Sequence, residues 1–273
     1  MKIAICLIVY NGKPFIDLWL NHYLNCPSID YVCVAEGATR NMMTALDLPS
    51  VRSNDGTMES MFNNYGNSKI LCVAANTPHP EKNEQMNAAI GLVPDDTDYL
   101  IISGVDEFYH HFDLQWLKGE LADKGYTYAE FRHFHFWKHA DVIGVGGRGY
   151  GYNMPADSVF RYWPGSRMTK HRPLTMTDHQ GRPLKSLKPL LAGSNPVMNY
   201  HYSYVTEKMV YEKMLYYTIT MRHDYMPWYW QCWKAWTREN RQDIESRWSI
   251  HPSVPGATTR DISLVHPINT ALL

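Results

Sequence analysis

The chain has 273 residues, of which 45% are hydrophobic, and 26 basic side chains against 27 acidic ones. This length and apolar content suit one large α/β domain, or a domain with an extension. The near balance of charges makes a general nucleic-acid-binding protein a disfavoured class. No apolar run approaches the ~20 residues that span a bilayer, and the chain starts without a leader of signal-peptide type.

The cysteines are five in number and contain no Cys-x-x-Cys pair. Structural zinc sites commonly use such pairs, so we do not expect one here. Three of them, Cys6, Cys33 and Cys72, lie within predicted strands, and we interpret the cysteines as reduced core thiols of a cytoplasmic protein. The five are Cys6, Cys26, Cys33, Cys72 and Cys232.

The first half of the chain alternates β-rich apolar runs with helical patterns. Strands are predicted at residues 2–10, 29–35, 69–75, 99–102 and 126–137. Helices are predicted at 14–24, 81–90 and 113–124, the last with Asp113 as its N-cap, and a short one at 42–46 within the loop-like stretch 38–67. This alternation favours an α/β fold with a mostly parallel central sheet flanked by helices.

The pattern changes after about residue 140. Residues 144–191 are rich in Gly and Pro, and the sequence locates their strands poorly. A helix is predicted from Thr206 to Met221, and an aromatic helix at 228–248 carries Trp230, Trp233 and Trp236 on one face, where core packing is favoured over sugar stacking. We therefore divide the chain into an α/β domain at 1–205 and a helical, aromatic-rich extension at 206–273.

Polar residues follow four of the predicted strands. In open α/β sheets, ligands bind outside the carboxyl ends of the strands, so we expect these residues to share one edge. Glu36 there suits a base or a ribose, and two adjacent carboxylates suit a hard divalent cation. The alternative is that the strand ends are simply solvated, with Asp106 capping a turn. The residues are Tyr10-Asn11, Glu36-Gly37, Asn76 and Asp106-Glu107.

Two basic features suit an anion. Lys82 and Asn83 begin a predicted helix, whose positive end attracts phosphate. The segment 161–188 contains a single acid, Asp178, among seven basic residues. A solvated first turn and a solvated loop are the corresponding alternatives. The basic residues are Arg161, Arg167, Lys170, Arg172, Arg182, Lys185 and Lys188.

Histidines form a further pattern. His133 and His135 alternate along one predicted strand, and His139 follows. Imidazoles on one face can bind a metal, but half-buried histidines satisfied by their neighbours are the favoured interpretation. His171 and His201 lie in short polar segments further along. The GxGxxG-like run at 144–149 does not join a first strand to a helix, so we interpret it as a loop.

Several of these segments resemble the family 2-like glycosyltransferases of the GT-A fold. Residues 3–24 (IAICLIVYNGKPFIDLWLNHYL), 82–87 (KNEQMN) and 98–108 (DYLIISGVDEF) look like that family's first strand and helix and the approach to its Asp-x-Asp motif. Residues 159–165 (VFRYWPG) and 201–204 (HYSY), with Lys208 and Lys213, are similar to its C-terminal half. The resemblance extends over most of residues 1–215.

The resemblance implies transfer of a sugar from a nucleotide-sugar donor, most commonly a UDP-sugar, to a hydroxyl of a carbohydrate or other acceptor. It also implies Mn²⁺ or Mg²⁺ on the donor diphosphate. Asp106 matches the second Asp of the motif, Gly104 replaces the first, and Glu107 is a compensating carboxylate. His201, with His171 as second choice, matches the family's downstream metal-binding histidine.

With this resemblance we assign the remaining roles and alternatives. For an inverting reaction a carboxylate must take the acceptor proton, and we prefer Asp157 to Asp141. A nucleotidyltransferase or sugar-nucleotide hydrolase stays open, as does a non-catalytic nucleotide- or glycan-binding protein, which Gly104 favours. The residues assigned to the donor are Val9, Tyr10, Asn11, Glu36, Lys82, Asn83, Gly104, Val105, Arg161, Lys170 and Arg172.

Overall fold

The structure is a computed structural model that describes residues 1–146, 155–171, 174–184 and 188–272, with the backbone alone at 155–158, 192 and 272. The strands are β1 Ile3–Val9, β2 Tyr31–Glu36, β3 Ile70–Ala74, β4 Tyr99–Ser103, β5 Glu107–Phe108, β6 Tyr128–Trp137, β7 His139–Gly146, β8 Pro155–Arg161, β9 Arg167–Lys170, β10 Thr175–Thr177, β11 Pro189–Leu190, β12 Met198–Tyr204 and β13 Ala257–Asp261. The central sheet has the strand order β13-β7-β6-β8-β4-β1-β2-β3; β11 and β12 pair with β6, and β5 pairs with β12.

The helices lie between these strands and after them. The helices are α1 Phe15–Leu24, α2 Arg40–Ala45, α3 Thr57–Asn63, α4 Lys82–Ile90, α5 His111–Lys124, α6 Glu207–Met221, α7 Met226–Trp228 and α8 Arg241–Arg247, and Tyr229–Lys234 forms a π-helix. Helix α6, the longest of these, follows β12, and helix α4 packs against β1, β2 and β9. The predicted α/β fold, a central sheet flanked by helices, is confirmed.

The parallel half of the sheet is β4-β1-β2-β3, which contains the four strands predicted first along the chain. Strand β1 reads IAICLIV and is almost wholly buried, as expected of a parallel strand covered on both faces. Beyond β4 the sheet is mixed: β8, β6, β7 and β13 pair antiparallel, while β12 runs parallel to β6.

Two predictions about helices were wrong, one about the start of α5 and one about the stretch 38–67. Asp113 is not an N-cap, because helix α5 begins at His111 and Asp113 lies in its first turn. Residues 38–67 also contain a second helix, α3, which carries no strong apolar periodicity. Contacts at its start define it: Asp55 accepts hydrogen bonds from the backbone N–H groups of Thr57 at 3.0 Å and Lys13 at 2.9 Å.

The aromatic helix predicted at 228–248 is broken into α7, the π-helix and α8. A π-helix has wider turns than an α-helix, so Trp230 and Trp233, three residues apart within Tyr229–Lys234, no longer share a face. Trp230 is accordingly 54% exposed, whereas Trp233 and Trp236 are buried. The segment after residue 205 also contributes strand β13 to the central sheet, so it is not purely helical.

The described part of the chain has no helix that is both long and apolar enough to cross a membrane. All five cysteines are free, and four of them are buried. Cys6 and Cys33 are register partners on neighbouring strands. Both side chains are buried in the apolar cluster that also contains Met86 and Ala89 of α4.

Candidate active site

The carboxyl ends of the parallel strands lie side by side. Val9 is the register partner of Glu36, Glu36 is the partner of Ala74, and Leu7 is the partner of Ser103. The segments that follow these strands therefore meet at one edge of the sheet, as ligand-binding segments do in open α/β folds. This register brings the predicted strand-end residues together.

A carboxylate–histidine pair lies just beyond β4. Asp106 is buried, and its Oδ2 is 3.4 Å from Nε2 of His201; Oε1 of Glu107 is 3.9 Å from the same nitrogen. The contact follows from the pairing of β5 with β12, in which His201 stands opposite Glu107. The two carboxylates are adjacent in sequence, and the imidazole is 95 residues after Asp106. Together they form one set of ligand atoms that fits a divalent cation.

The charge state of Asp106 suits this role. Burial raises the pKa of the carboxyl group, but the neighbouring His201 and the positive charge of Lys213 outweigh burial and hold the pKa well below its ordinary value. Lys213 is positioned by Ser203, whose carbonyl oxygen accepts from Nζ at 3.3 Å. Asp106 is therefore ionised at neutral pH and carries a cation-binding charge.

Gly104 occupies a restricted position in the same turn. Its N–H donates to Oε2 of Glu107 at 2.8 Å, which ties the two ends of the turn together. A Cβ atom at Gly104 would lie 2.8 Å from Oδ1 of Asp106, closer than a real Cβ contact allows. The Asp106 carboxylate thus occupies the space that a side chain at residue 104 would need.

Two further histidines lie beside His201. Strand β12 is parallel to β6, and His201 is the register partner of His135, with 3.1 Å between their Nδ1 atoms. His133 is on the same face of β6, and one ligand nitrogen from each of the three rings lies within 4.8 Å of the others. Burial and the neighbouring positive groups lower the pKa of His135, so its imidazole is neutral. The sequence showed the His133–His135 alternation, but the contact with His201 depends on strand pairing.

The ends of β1 and β2 are covered by residues 50–57. The Tyr10 hydroxyl donates to the Ser50 carbonyl at 3.1 Å, and Oδ1 of Asn11 accepts from the N–H of Asn54 at 3.0 Å. Glu36 is fully buried, its Oε1 accepts from the N–H of Ser53 at 2.6 Å, and burial raises its pKa. These residues, which were predicted to bind the sugar donor, therefore hold residues 50–57 in place. Val9 is buried in the apolar core, and the partly buried Val105 packs against that core.

A polar pocket of about 310 Å³ lies at the start of α4. It brings together four of the residues singled out from the sequence, namely Lys82, Asn83, Lys170 and His171, with Tyr216 from α6. Nζ of Lys82 lies 5.1 Å from the centre of the Tyr216 ring. Lys82 at the positive end of α4 and Lys170 at the end of β9 suit an anion, although Glu81 also lines the pocket.

Other predicted residues lie elsewhere. Arg161 is opposite Tyr99, at the start of β4, so four residues at about 3.3 Å each separate it from the Ser103 end. Its guanidinium contacts the Tyr99 hydroxyl at 3.3 Å and Asp98 at 4.0 Å. The assignment of Arg161 to the donor disagrees with this placement, because strand register carries the residue to the opposite edge of the sheet.

The two candidate general bases lie on different strands, Asp141 on β7 and Asp157 on β8. Asp141 is exposed and forms an ion pair with Arg238 at 2.6 Å, so its carboxylate already has a cationic partner. Asp157 stands opposite Glu130 in the pairing of β8 with β6, and its side chain is outside the described part. Arg172 lies outside the described residues.

Comparisons with known proteins give structural likenesses only. No protein-family model matches the chain, and no curated protein sequence matches it. A solved structure of S. aureus TarS 1–349 in complex with UDP-GlcNAc is 13% identical, with 50% of this chain and 35% of that chain covered and a TM-score of 0.40. S. aureus TarS 1–349 is 9% identical over 90% of this chain and 78% of that one, with a TM-score of 0.47.

A third similar structure is glucosyl-3-phosphoglycerate synthase from Mycobacterium tuberculosis, in complex with Mn²⁺, UDP and glucosyl-3-phosphoglycerate. It is 15% identical over 51% of this chain and 46% of that chain, with a TM-score of 0.35. The chain spans about a third of the length of the first TarS structures it matches.

Proposed function

We propose that the protein is a glycosyltransferase that moves a sugar from a nucleotide-sugar donor, a UDP-sugar, to an acceptor hydroxyl. The observation that carries this proposal is the ionised, buried Asp106, 3.4 Å from His201 and beside Glu107, at the carboxyl edge of the parallel strands. This set fits a divalent ion at an Asp-x-Asp motif that lacks its first Asp. The resemblance of residues 98–108 to the approach to that motif supports the same class.

Asp106, Glu107 and His201 would hold the ion. When bound, a divalent ion neutralises the negative charge that develops on the leaving diphosphate. Lys213 adds a fixed positive charge near Asp106, and the missing side chain of Gly104 leaves room for the Asp106 carboxylate. Lys82 and Lys170 add positive charge at the neighbouring edge, where they stabilise donor or acceptor anions.

We further propose a catalytic unit at residues 1–205, with 206–273 as an extension packed on it. The burial of Trp137 of β6 with Trp233 and Trp236 supports close packing between the two parts. Asp157 stays the preferred general base, because Asp141 is bound to Arg238 on the surface. The donor binds at the Asp106 end of this edge, beside the segment 50–57 that covers Asn11 and Glu36.

The test is thermal stability against nucleoside diphosphates and UDP-sugars, with and without Mn²⁺. A ligand that binds only the folded chain stabilises it by about 2.7 kcal/mol at a hundredfold excess over its dissociation constant. We expect a shift with a UDP compound that requires the metal and is lost in Asp106→Asn. The matched control is Asp123→Asn, an exposed carboxylate on α5, which should retain the shift.

Product analysis separates the alternatives. Release of UDP from the sugar donor in the presence of metal supports a transferase, while pyrophosphate release would support a nucleotidyltransferase. A nucleotide shift without any donor turnover would support the non-catalytic binding protein that Gly104 favours. Absence of a shift with every nucleotide would refute the proposal.

A further inference from the structure

Three imidazoles converge beside Asp106. His133 and His135 project from the same face of β6, since side chains two residues apart on a strand share a face. Strand β12 runs parallel to β6 in a register that places His201 beside His135. The three rings therefore come together because β6 and β12 pair in this register.

The distances approach those between ligands of a single ion. Nitrogen ligands at about 2.0–2.1 Å from a tetrahedral ion are roughly 3.3 Å apart. The Nδ1 atoms of His135 and His201 are 3.1 Å apart, and all three ligand nitrogens lie within 4.8 Å of one another. A hydrogen bond between His135 and His201 would explain that pair alone. The third ring within range makes the group a metal-type donor set.

Asp106 contacts the opposite side of the His201 ring. Its Oδ2 faces Nε2 at 3.4 Å, while Nδ1 of the same ring faces His135. Metal-ligating histidines commonly direct their other nitrogen to a carboxylate, which fixes the ring's orientation. In this arrangement Asp106 positions His201, and Nδ1 is the nitrogen that points into the cluster.

We propose that His133, His135 and His201 bind one transition-metal ion of the Zn²⁺, Co²⁺ or Fe²⁺ class, with Asp106 as the positioning residue. The inference goes beyond the proposed function, because it places an ion on the Nδ1 side of the His201 ring, whereas the proposed donor ion lies on the Nε2 side with Asp106 and Glu107. Imidazole nitrogen suits these ions, whereas Mg²⁺ prefers oxygen ligands and water. Three protein ligands also leave a coordination position open to substrate, as in catalytic zinc sites.

The experiment uses the full, untagged chain, stripped with a chelator and free of nucleotide. Equilibrium dialysis with Zn²⁺ and with Mg²⁺, followed by elemental analysis, gives stoichiometry and affinity, and Co²⁺ absorption reports the coordination geometry. We expect one Zn²⁺ or Co²⁺ per chain, a tetrahedral Co²⁺ spectrum, and binding of Mg²⁺ at least about 100-fold weaker.

Variants then test the ligands. His133→Gln and His135→Gln should each weaken Zn²⁺ binding at least about 100-fold, and Asp106→Asn about 10- to 100-fold, as expected for a group that orients a ligand. His139→Gln is the matched control, because His139 is exposed at the start of β7 and should bind Zn²⁺ as the native chain does. Circular dichroism checks that each variant is folded.

The outcomes separate this inference from the proposed function. Absence of Zn²⁺ and Co²⁺ binding to the native chain, or unchanged binding in both His133→Gln and His135→Gln, would overturn the inference even if UDP compounds stabilise the protein with Mg²⁺. Histidine-dependent Zn²⁺ binding without any nucleotide shift would support the inference and refute the transferase proposal alone.

Discussion

Gly104 shapes the candidate metal site through the side chain that it lacks. The turn from Gly104 to Glu107 is closed by the bond from the Gly104 N–H to the Glu107 carboxylate, and the Asp106 carboxylate lies over the glycine. A single added carbon atom would displace Oδ1 of Asp106 and, with it, the contact of Asp106 with His201. An aspartate at residue 104, as in an Asp-x-Asp motif, would therefore require the Asp106 carboxylate to move.

We expect Gly104→Ala to weaken Zn²⁺ or Mn²⁺ binding about tenfold, because it moves a carboxylate that orients or ligates the ion. It should also lower the free energy of unfolding by about 1–3 kcal/mol, the usual cost of overpacking. Metal titration and urea unfolding measure the two effects.

Gly119→Ala is the control for this change. Gly119 is exposed within α5, and an added Cβ meets no atom within 4 Å. Alanine should stabilise the helix by about 0.5–1 kcal/mol without altering metal binding. Equal metal affinity in Gly104→Ala and the native chain would contradict the steric account of the turn.

At the level of elements, Asn87 joins helix α4 to strand β9. Its Nδ2 donates to the Met168 carbonyl at 2.9 Å, and its Oδ1 accepts from the Met168 N–H at 2.7 Å. Met168 is fully buried against the helix, and β9 continues to Lys170 at the polar pocket. One side chain thus replaces two strand-type hydrogen bonds and positions a basic segment that lies outside the main sheet.

We expect Asn87→Ala to lower the free energy of unfolding by about 1–3 kcal/mol, because it leaves a donor and an acceptor of β9 without their partner. Amide hydrogen exchange should become faster in Arg167–Lys170 and change little in β1. Asn83→Ala is the comparison, since Asn83 lies one turn earlier in α4 and its amide contacts Glu84 of the same helix at 3.5 Å. If the two variants had the same exchange rates in β9, this role of Asn87 would be refuted.

At the level of the whole molecule, the C-terminal segment shares its interior with the sheet. Trp137 and Val142 of β6 and β7 are buried with Trp228, Trp233 and Trp236 in one apolar cluster. Nε1 of Trp233 donates to the Tyr204 carbonyl at 3.0 Å, and β13 extends the sheet beyond β7. The extension is therefore expected to unfold together with the sheet.

We expect Trp233→Ala to lower the free energy of unfolding by about 3–5 kcal/mol, as large-to-small core changes do. Trp230→Ala should change it by less than about 0.5 kcal/mol, because Trp230 is 54% exposed whereas Trp233 is 4% exposed. Urea unfolding followed by circular dichroism and by tryptophan fluorescence should give coincident transitions. Two separate transitions would show that the extension unfolds independently.

The sequence by itself determined the parallel half of the sheet and the position of its carboxylates. Runs such as residues 3–9 are apolar at nearly every position, and such a run has few other stable environments than a strand covered on both faces. The polar residues after each run then necessarily fall at one edge. That reasoning located Asp106 and Glu107 without any tertiary information.

Only the tertiary structure decided which distant residues meet that edge. The pairing of β12 with β5 and β6 brings His201 to Asp106 and to His135, and strand register places Arg161 at the far edge. Helix α3 and the π-helix likewise depend on contacts made across the chain. Local patterns encode which residues are buried, whereas register between distant strands depends on the packing of the whole sheet, and the chemistry of this site depends on that register.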